Sequence, residues 1–395
     1  MLNPTVRRMG VLGASVVTLA LVAGGCESSP RGADGAREVP APRQTPRDAA
    51  DAGKVTRIDG TDITHADWAK LGYRWDWAGT PVLSTGGAIE FIDAYHDRVV
   101  VQESGSVISV LDPRSGALLW SADLPGRASR LVGNVRVDGS LFSTTETDLF
   151  ELDIETGNLL DRRALTQVVN TPPVIYDQLA VFGTGAGEVL AYNRSFGVDV
   201  WKYRLGGPID APPTRIDNRT VAIVSQVGEV LFLNVVTGRA SGRDRISGGL
   251  ANEPVTDGYR LFLASTDQSV YCFDASNGER LWRHRTSRPL RTQPVLWDNV
   301  LYYASPEDGV VALNGDDGEP LWNLPELGNA WAVGSRDGAI VFWDGRHATT
   351  VDPEFGDVID RVELPGIRGL RTDRFDDGNL YAVSVGGKVL RFTPR

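Results

Sequence analysis

Short apolar runs separated by polar corners fill the chain after about residue 70, and no helical period is sustained there. The stretch around residue 265 shows the pattern. Arg260–Ala264 and Ser269–Phe273 run apolar or alternate, as strands covered on both faces do. With their flanks they predict four strands, Glu253–Val255, Arg260–Ala264, Ser269–Phe273 and Arg280–His284, joined by a turn at Asp257-Gly258 and a second polar corner. That corner is one of a series. Asp112 with Gly116, Asp153 with Gly157, Asn193 with Gly197, Asn234 with Gly238, Asp274 with Gly278, Asn314 with Gly318, and Asp352 with Gly356 all place an Asp or Asn four residues before a glycine. The glycines are 41, 40, 41, 40, 40 and 38 residues apart. Strand-rich self-similarity at about forty residues is the signature of a β-propeller.

The corner residues follow from turn chemistry. A short hairpin loop needs one residue at positive φ, which glycine adopts without steric penalty. The Asp or Asn side chain can accept hydrogen bonds from backbone N–H groups just ahead of it and close the turn. Four residues beyond the glycine stands a tryptophan in four repeats, Trp120, Trp201, Trp282 and Trp322, expected to pack between neighbouring blades; Asp161, Gly242 and Asp360 hold that place in the other three.

The ends set the blade count. One more period after Asp352 would begin an eighth corner near Thr393, and Lys388–Phe392 reads as a third strand, with no eighth glycine before Arg395. The alternating Tyr73-Arg74-Trp75-Asp76-Trp77 is the segment that can supply the missing fourth strand. The expectation is an all-β, eight-bladed propeller of four-stranded antiparallel blades, its ring closed by an N-terminal strand so that no open edge remains. The domain spans 61–395, with a short helix between Ile63 and Leu71 capped by Thr64.

The N-terminus has a different character. Arg7 and Arg8 precede an apolar stretch from Met9 to Gly25 that ends at Cys26, so residues 1–25 read as a signal peptide. Leu21-Val22-Ala23-Gly24-Gly25-Cys26 resembles a bacterial lipobox, with Ala23 where leucine is commoner, and makes Cys26 the expected lipidation site. Glu27 would then follow the lipidated cysteine; the absence of Asp there favours the outer over the inner membrane. Residues 26–60, with Pro30, Pro40, Pro42 and Pro46 among Ala, Arg, Asp and Gly, form a flexible tether that cannot bury enough surface to offset the entropy of ordering.

Of 395 residues, 42% are hydrophobic and 23% charged, as for a folded domain. The formal net charge of −11 becomes more negative once the leader's two arginines are lost, and this excludes the broad basic footprint of a nucleic-acid binder. Against that background Arg280, Arg283, Arg285, Arg288 and Arg291 crowd the outer strand of the fifth repeat and the loop after it. They read either as a charged edge that discourages sheet pairing or, through Arg283, Arg285 and Arg288, as a docking patch for an acidic partner or anionic lipid.

The units Val110-Leu111-Asp112 to Trp120 and Cys272-Phe273-Asp274 to Trp282 resemble the quinoprotein-like (PQQ-like) repeat family. The resemblance covers about residues 70–395. It implies the propeller fold and leaves activity open, because the family holds both quinone-dependent alcohol dehydrogenases and non-enzymatic scaffolds. The dehydrogenases use a calcium-bound quinone, a catalytic aspartate and a disulfide between adjacent cysteines. Cys272 is the only cysteine after Cys26, so that disulfide cannot form, and neither PQQ nor calcium is expected. A stand-alone, lipobox-bearing, eight-bladed member looks most like the scaffolds of outer-membrane protein assembly. The resemblance therefore implies a protein partner, a β-barrel assembly complex, at the periplasmic face of the outer membrane.

No catalytic, cofactor-binding or metal-ligating residue is assigned. His65, His96, His284 and His347 lack metal-ligand spacing. Gly183-Thr184-Gly185-Ala186-Gly187 joins two expected strands with no following helix or lysine, so it reads as a tight hairpin and not a phosphate loop. Cys272 reads as a buried, inert thiol. Three functions remain open: a monomeric, non-enzymatic interaction scaffold; a binding module for a small molecule or envelope polymer in the central funnel; and a quinone-dependent oxidoreductase.

Overall fold

A computed structural model describes residues 63–124 and 130–395. The leader, Cys26 and the tether lie outside the described residues. Among the described residues thirty-two strands form eight four-stranded antiparallel sheets, arranged as an eight-bladed β-propeller. Seven sheets are each continuous in the chain. The eighth joins Ile367–Thr372, Leu380–Ser384 and Val389–Pro394 to the N-terminal strand Tyr73–Gly79.

The core lies between neighbouring sheets, and the period of two explains why the second and third strands are apolar throughout. In the fifth blade Leu261, Leu263, Tyr271 and Phe273 pack against Val230 and Phe232 of the fourth. Their alternates Phe262, Ala264, Val270 and Cys272 turn the other way, onto Leu301, Tyr303, Val311 and Leu313 of the sixth. Each strand is therefore sandwiched, with no face left for water. The strands of this blade are Val255–Thr256, Arg260–Ser265, Ser269–Asp274 and Arg280–Arg285. The first differs from the Glu253–Val255 expected from sequence. Pro254 has no N–H to give to the ladder, so pairing begins at Val255, opposite Phe262, and Glu253 is left beside the propeller axis.

Ring closure is made by three adjoining pieces. Tyr73–Gly79 runs antiparallel to Val389–Pro394 from Tyr73 opposite Pro394 to Gly79 opposite Val389. Arg391 Nη1 donates to Asp76 Oδ2 at 2.7 Å across this pair. The helix His65–Lys70 leads into it. Thr64 Oγ1 accepts from Asp67 N, and Asp67 Oδ2 accepts from Thr64 N, a reciprocal cap. Six residues cannot hold a helix in isolation; this one is fixed by Trp68, fully buried and stacked on Phe392 with ring centroids 3.5 Å apart. Finally Arg336, from the seventh blade, donates to Gly72 O at 3.0 Å, Arg395 O at 2.8 Å and Asp377 Oδ1 at 2.8 Å.

Candidate functional site

The seven corners share one geometry. Asp112 Oδ1 accepts from Arg114 N at 2.9 Å and Ser115 N at 2.8 Å, and Gly116 N donates to Asp112 O at 2.8 Å. Asp153, Asn193, Asn234, Asp274, Asn314 and Asp352 accept from the backbone two residues on in the same way. All seven glycines have φ between +66° and +77°. The Asx hydrogen bonds hold Asp112, Asp153 and Asp274 below the usual carboxylate range. These side chains are occupied in turns.

The tryptophans lie on the next blade's corner. Trp120 Nε1 donates to Ile154 O at 2.9 Å, and a Cβ on Gly157 would fall 2.5 Å from its ring. Trp201 reaches Val235 O over Gly238, Trp282 reaches Gly315 O over Gly318, and Trp322 reaches Pro353 O over Gly356. A fifth member escaped the sequence pattern. Trp77, on the closing strand, donates to Pro113 O at 2.9 Å and lies over Gly116. No corner glycine precedes Trp77 in the chain, so counting forward from a glycine could not find it. Gly242, where a repeat lacks tryptophan, marks a different junction: backbone packs on backbone, with a Cβ on Gly278 placed 2.9 Å from Gly242 Cα.

The arginine run is divided by the fold. Arg280 pairs with Asp244 at 2.7 Å, Arg283 donates to Ser269 Oγ at 3.0 Å and lies over the Tyr271 ring, and Arg288 pairs with Glu307. Arg285 is exposed at the end of the outer strand. Arg291 lies apart from these, lining the central cavity. His284 packs against Tyr303 with its Nε2 3.3 Å from the hydroxyl, and burial lowers its pKa. Cys272 is buried in the third strand, and burial pushes its thiol up to about 12. Gly183–Gly187 is the hairpin between Leu179–Gly183 and Glu188–Asn193, with Gly187 at φ +82°.

The place where side chains from many blades converge is the axial channel. A cavity of about 650 Å³ there is lined from six blades, among others by Phe91, Asp93, Asn134, Asn170, Asp210 and Arg291. The segments that enter it carry their own repeat. Pro173, Pro213, Pro254 and Pro294 recur every forty or forty-one residues, each just before a first strand. Two residues before the proline, Thr171 Oγ1 accepts from Gly183 N, Asn252 Nδ2 donates to Ala264 O, and Thr292 Oγ1 donates to Ala304 O. That position ties the segment to its blade. Three before the proline stand Asn170, Asp210, Ala251 and Arg291, all lining the channel; one before it stand Pro172, Pro212, Glu253 and Gln293, of which the first three line it. Successive blades join around the channel, Asn170 Nδ2 donating to Asp210 Oδ1 at 3.1 Å and Gln293 Nε2 to Glu253 Oε2 at 3.5 Å.

The channel is electrostatically tense. Burial pushes the Asp93 carboxyl up to about 6, Glu253 adds to the rise, and Arg371 opposes it. Glu253 is raised by the same burial and likewise restrained by Arg371. Glu253 is open to solvent within the channel while protein surrounds it; a concave wall leaves too little water to hydrate its charge fully. Among the described residues no three His, Cys, Asp or Glu side chains come together in a way that could hold a metal ion, and no tryptophan lines this cavity.

A family model described as outer membrane protein assembly factor BamB matches residues 103–253 and 228–393. The chain belongs to this family. BamB of Burkholderia pseudomallei is 26% identical over 222 residues, 51% of this chain and 57% of that protein. The tetrathionate hydrolase of Acidithiobacillus ferrooxidans is 27% identical over 190 residues, 47% of this chain and 35% of that protein. The matches thus span from about a third to just over half of these relatives' lengths. Among solved structures, BamB from Moraxella catarrhalis superposes with a TM-score of 0.63 at 21% identity, covering 77% of this chain and 96% of that one. That likeness shows the fold. The BamB-family match takes in all seven corners, so it rests on the same repeat that sets the architecture, and no helix among the described residues is long and apolar enough to cross a membrane.

Proposed function

We propose that this chain is a non-enzymatic scaffold of outer-membrane protein assembly, held at the periplasmic face of the outer membrane by a lipid on Cys26. The observation that carries the reading is the BamB-family match over residues 103–253 and 228–393, on a ring closed within the chain itself. A closed, rigid disc presents two faces of loops without exposing a sheet edge, which suits it to hold partners. The expected partner is a β-barrel assembly complex. An enzymatic reading draws on the tetrathionate hydrolase relative, but that match covers 35% of the relative. The single cysteine among the described residues is buried in a third strand, and the channel acids do not gather into a ligand set.

The test is affinity capture of the lipidated protein from detergent-solubilised membranes. Co-purification of a β-barrel insertase, lost when Cys26→Ser releases the chain from the membrane, supports the scaffold. Normal levels of outer-membrane β-barrels in cells lacking the protein, with no insertase captured, would overturn it. Reversing Arg283, Arg285 and Arg288 to Glu in the same assay decides whether the exposed outer strand of the fifth blade contributes to docking.

A further inference from the structure

We infer that the axial channel is a binding site for a neutral saccharide chain, independent of any protein docked on the outside of the ring. The first argument is where the chain breaks its own rule. At the corners, seven blades repeat the same Asx and glycine; at the axis, the same backbone position carries Asn170, Asp210, Ala251 and Arg291 in turn. A purely structural wall built from repeats has no need of four different side chains at equivalent places. Thr171 and Thr292, one residue along, keep the repeat where they bond their own blades. Asn170, Asp210, Ala251 and Arg291 all line the cavity.

The second argument is the chemistry of the lining. Asn170 brings a planar amide, which both donates and accepts and so matches vicinal hydroxyls, and Asn134 and Asn252 line the wall beside it. Asp93 and Glu253 present carboxylates that burial leaves poorly hydrated, and sugar hydroxyls are donors that carry no charge of their own. Phe91 is 39% exposed although its strand faces the axis, and with Pro172 and Pro212 it offers an apolar surface for the C–H face of a pyranose ring. The acids Asp93, Asp210 and Glu253 are offset by Arg291 and Arg371, so the channel does not present the strong single-sign field that would select a polyanion or polycation. At about 650 Å³ the cavity lies within the roughly 300–1,000 Å³ of ordinary ligand sites.

The site is also separate from the corner face. Antiparallel blades put the first-to-second turns and the corners at one end, and the second-to-third turns and inter-blade connections at the other. The cavity is lined by Gln226 and Thr266 from the second kind of turn, whereas Tyr259, in a first-to-second turn, belongs to the first end.

The experiment is calorimetric titration of the full chain with unbranched tetrasaccharides of glucose, N-acetylglucosamine and galactose. At about 10 mM sugar any millimolar Kd would be registered. The expected result is saturable binding of at least one of them, weakened about tenfold or more by Phe91→Ala and by Asn170→Ala and unchanged by Tyr259→Ala, with the melting temperatures of all three variants close to that of the parent. No heat from any of the three sugars overturns the inference. So does binding that ignores Phe91→Ala and Asn170→Ala, or saturable binding of spermidine in place of sugar that Asp93→Asn abolishes, which would make the channel a polyamine site. Insertase capture is read separately and is not affected by any of these outcomes.

Discussion

If Trp77 closes the ring by stacking on the first corner, then Trp77 and Gly116 must be energetically coupled, and a double-mutant cycle measures the coupling. Gly116 has φ +72°, and a Cβ placed on it would lie 2.8 Å from Trp77 Cδ2. Gly116→Ala alone therefore carries two penalties. A left-handed backbone costs an alanine about 1–2 kcal/mol, and forcing a methyl into the tryptophan ring adds about 1–3 kcal/mol of overpacking. Trp77→Ala alone removes a side chain only 7% exposed, its hydrogen bond to Pro113 O and an edge contact with Tyr381 at 6.1 Å. Such a loss costs about 3–5 kcal/mol. In the double variant the ring is gone, so Gly116→Ala retains only its backbone penalty. The two changes should cost less together than separately, by about 1–3 kcal/mol. The assay is urea unfolding followed by tryptophan fluorescence and by circular dichroism, comparing midpoints at matched slopes. Strict additivity would refute the stacking, and a Trp77→Ala cost below about 1 kcal/mol would refute the claim that this strand closes the ring.

Three further outcomes follow from the same contacts. Arg336 is nearly buried and donates to Gly72 O, Arg395 O and Asp377, so Arg336→Ala should destabilise by about 2–5 kcal/mol, and limited proteolysis should then cut first near residues 63–79. Asp93 has its pKa raised to about 6 from 3.8, so the folded state holds its proton more tightly than the unfolded state does; stability falls as pH rises between those values, by a ceiling of about 3 kcal/mol. Asp93→Asn should therefore stabilise at pH 7.5 and make no difference below about pH 4, as read by thermal melts at both values. Cys272, buried with its thiol pushed up to about 12, should resist iodoacetamide in buffer and react at once in 6 M guanidinium; rapid labelling of the native protein would contradict the burial.

What could be read from the chain depended on whether a signal is local. The corners were legible because Asp112 and Gly116 form their turn within five residues, so spacing alone exposes them. The blade number and the closing strand followed from the same ruler laid against both ends. Trp77 was not found as a member of the tryptophan series, because the third and fourth strands of its blade come from opposite ends of the chain and the offset from a corner glycine does not exist for it. Gly242 holds the tryptophan's place in its repeat, and its lack of a side chain lets two backbones meet at Gly278. A second local signal repeats as well: Thr145, Ser265, Ser305 and Ser384 end second strands, and Thr184 and Ser225 directly follow them; all six are buried, and their hydroxyls accept a backbone N–H two to four residues on.

The channel was illegible for a deeper reason. Its lining is assembled from six blades, one to five residues from each, so that it is scattered over most of the chain. Alignment of the repeats discards such residues as noise because they disagree with one another. The proline that follows them supplies the correct frame: once Pro173, Pro213, Pro254 and Pro294 are superposed, the position three before it carries four different residues, all of which line the cavity, and the position two before it remains polar in three of four cases. In a repeat protein the residues that satisfy the period are explained by the period. Those that violate it at equivalent backbone positions need a separate cause, and here that cause has a location, the axial cavity, and a testable chemistry, the uncharged hydroxyl.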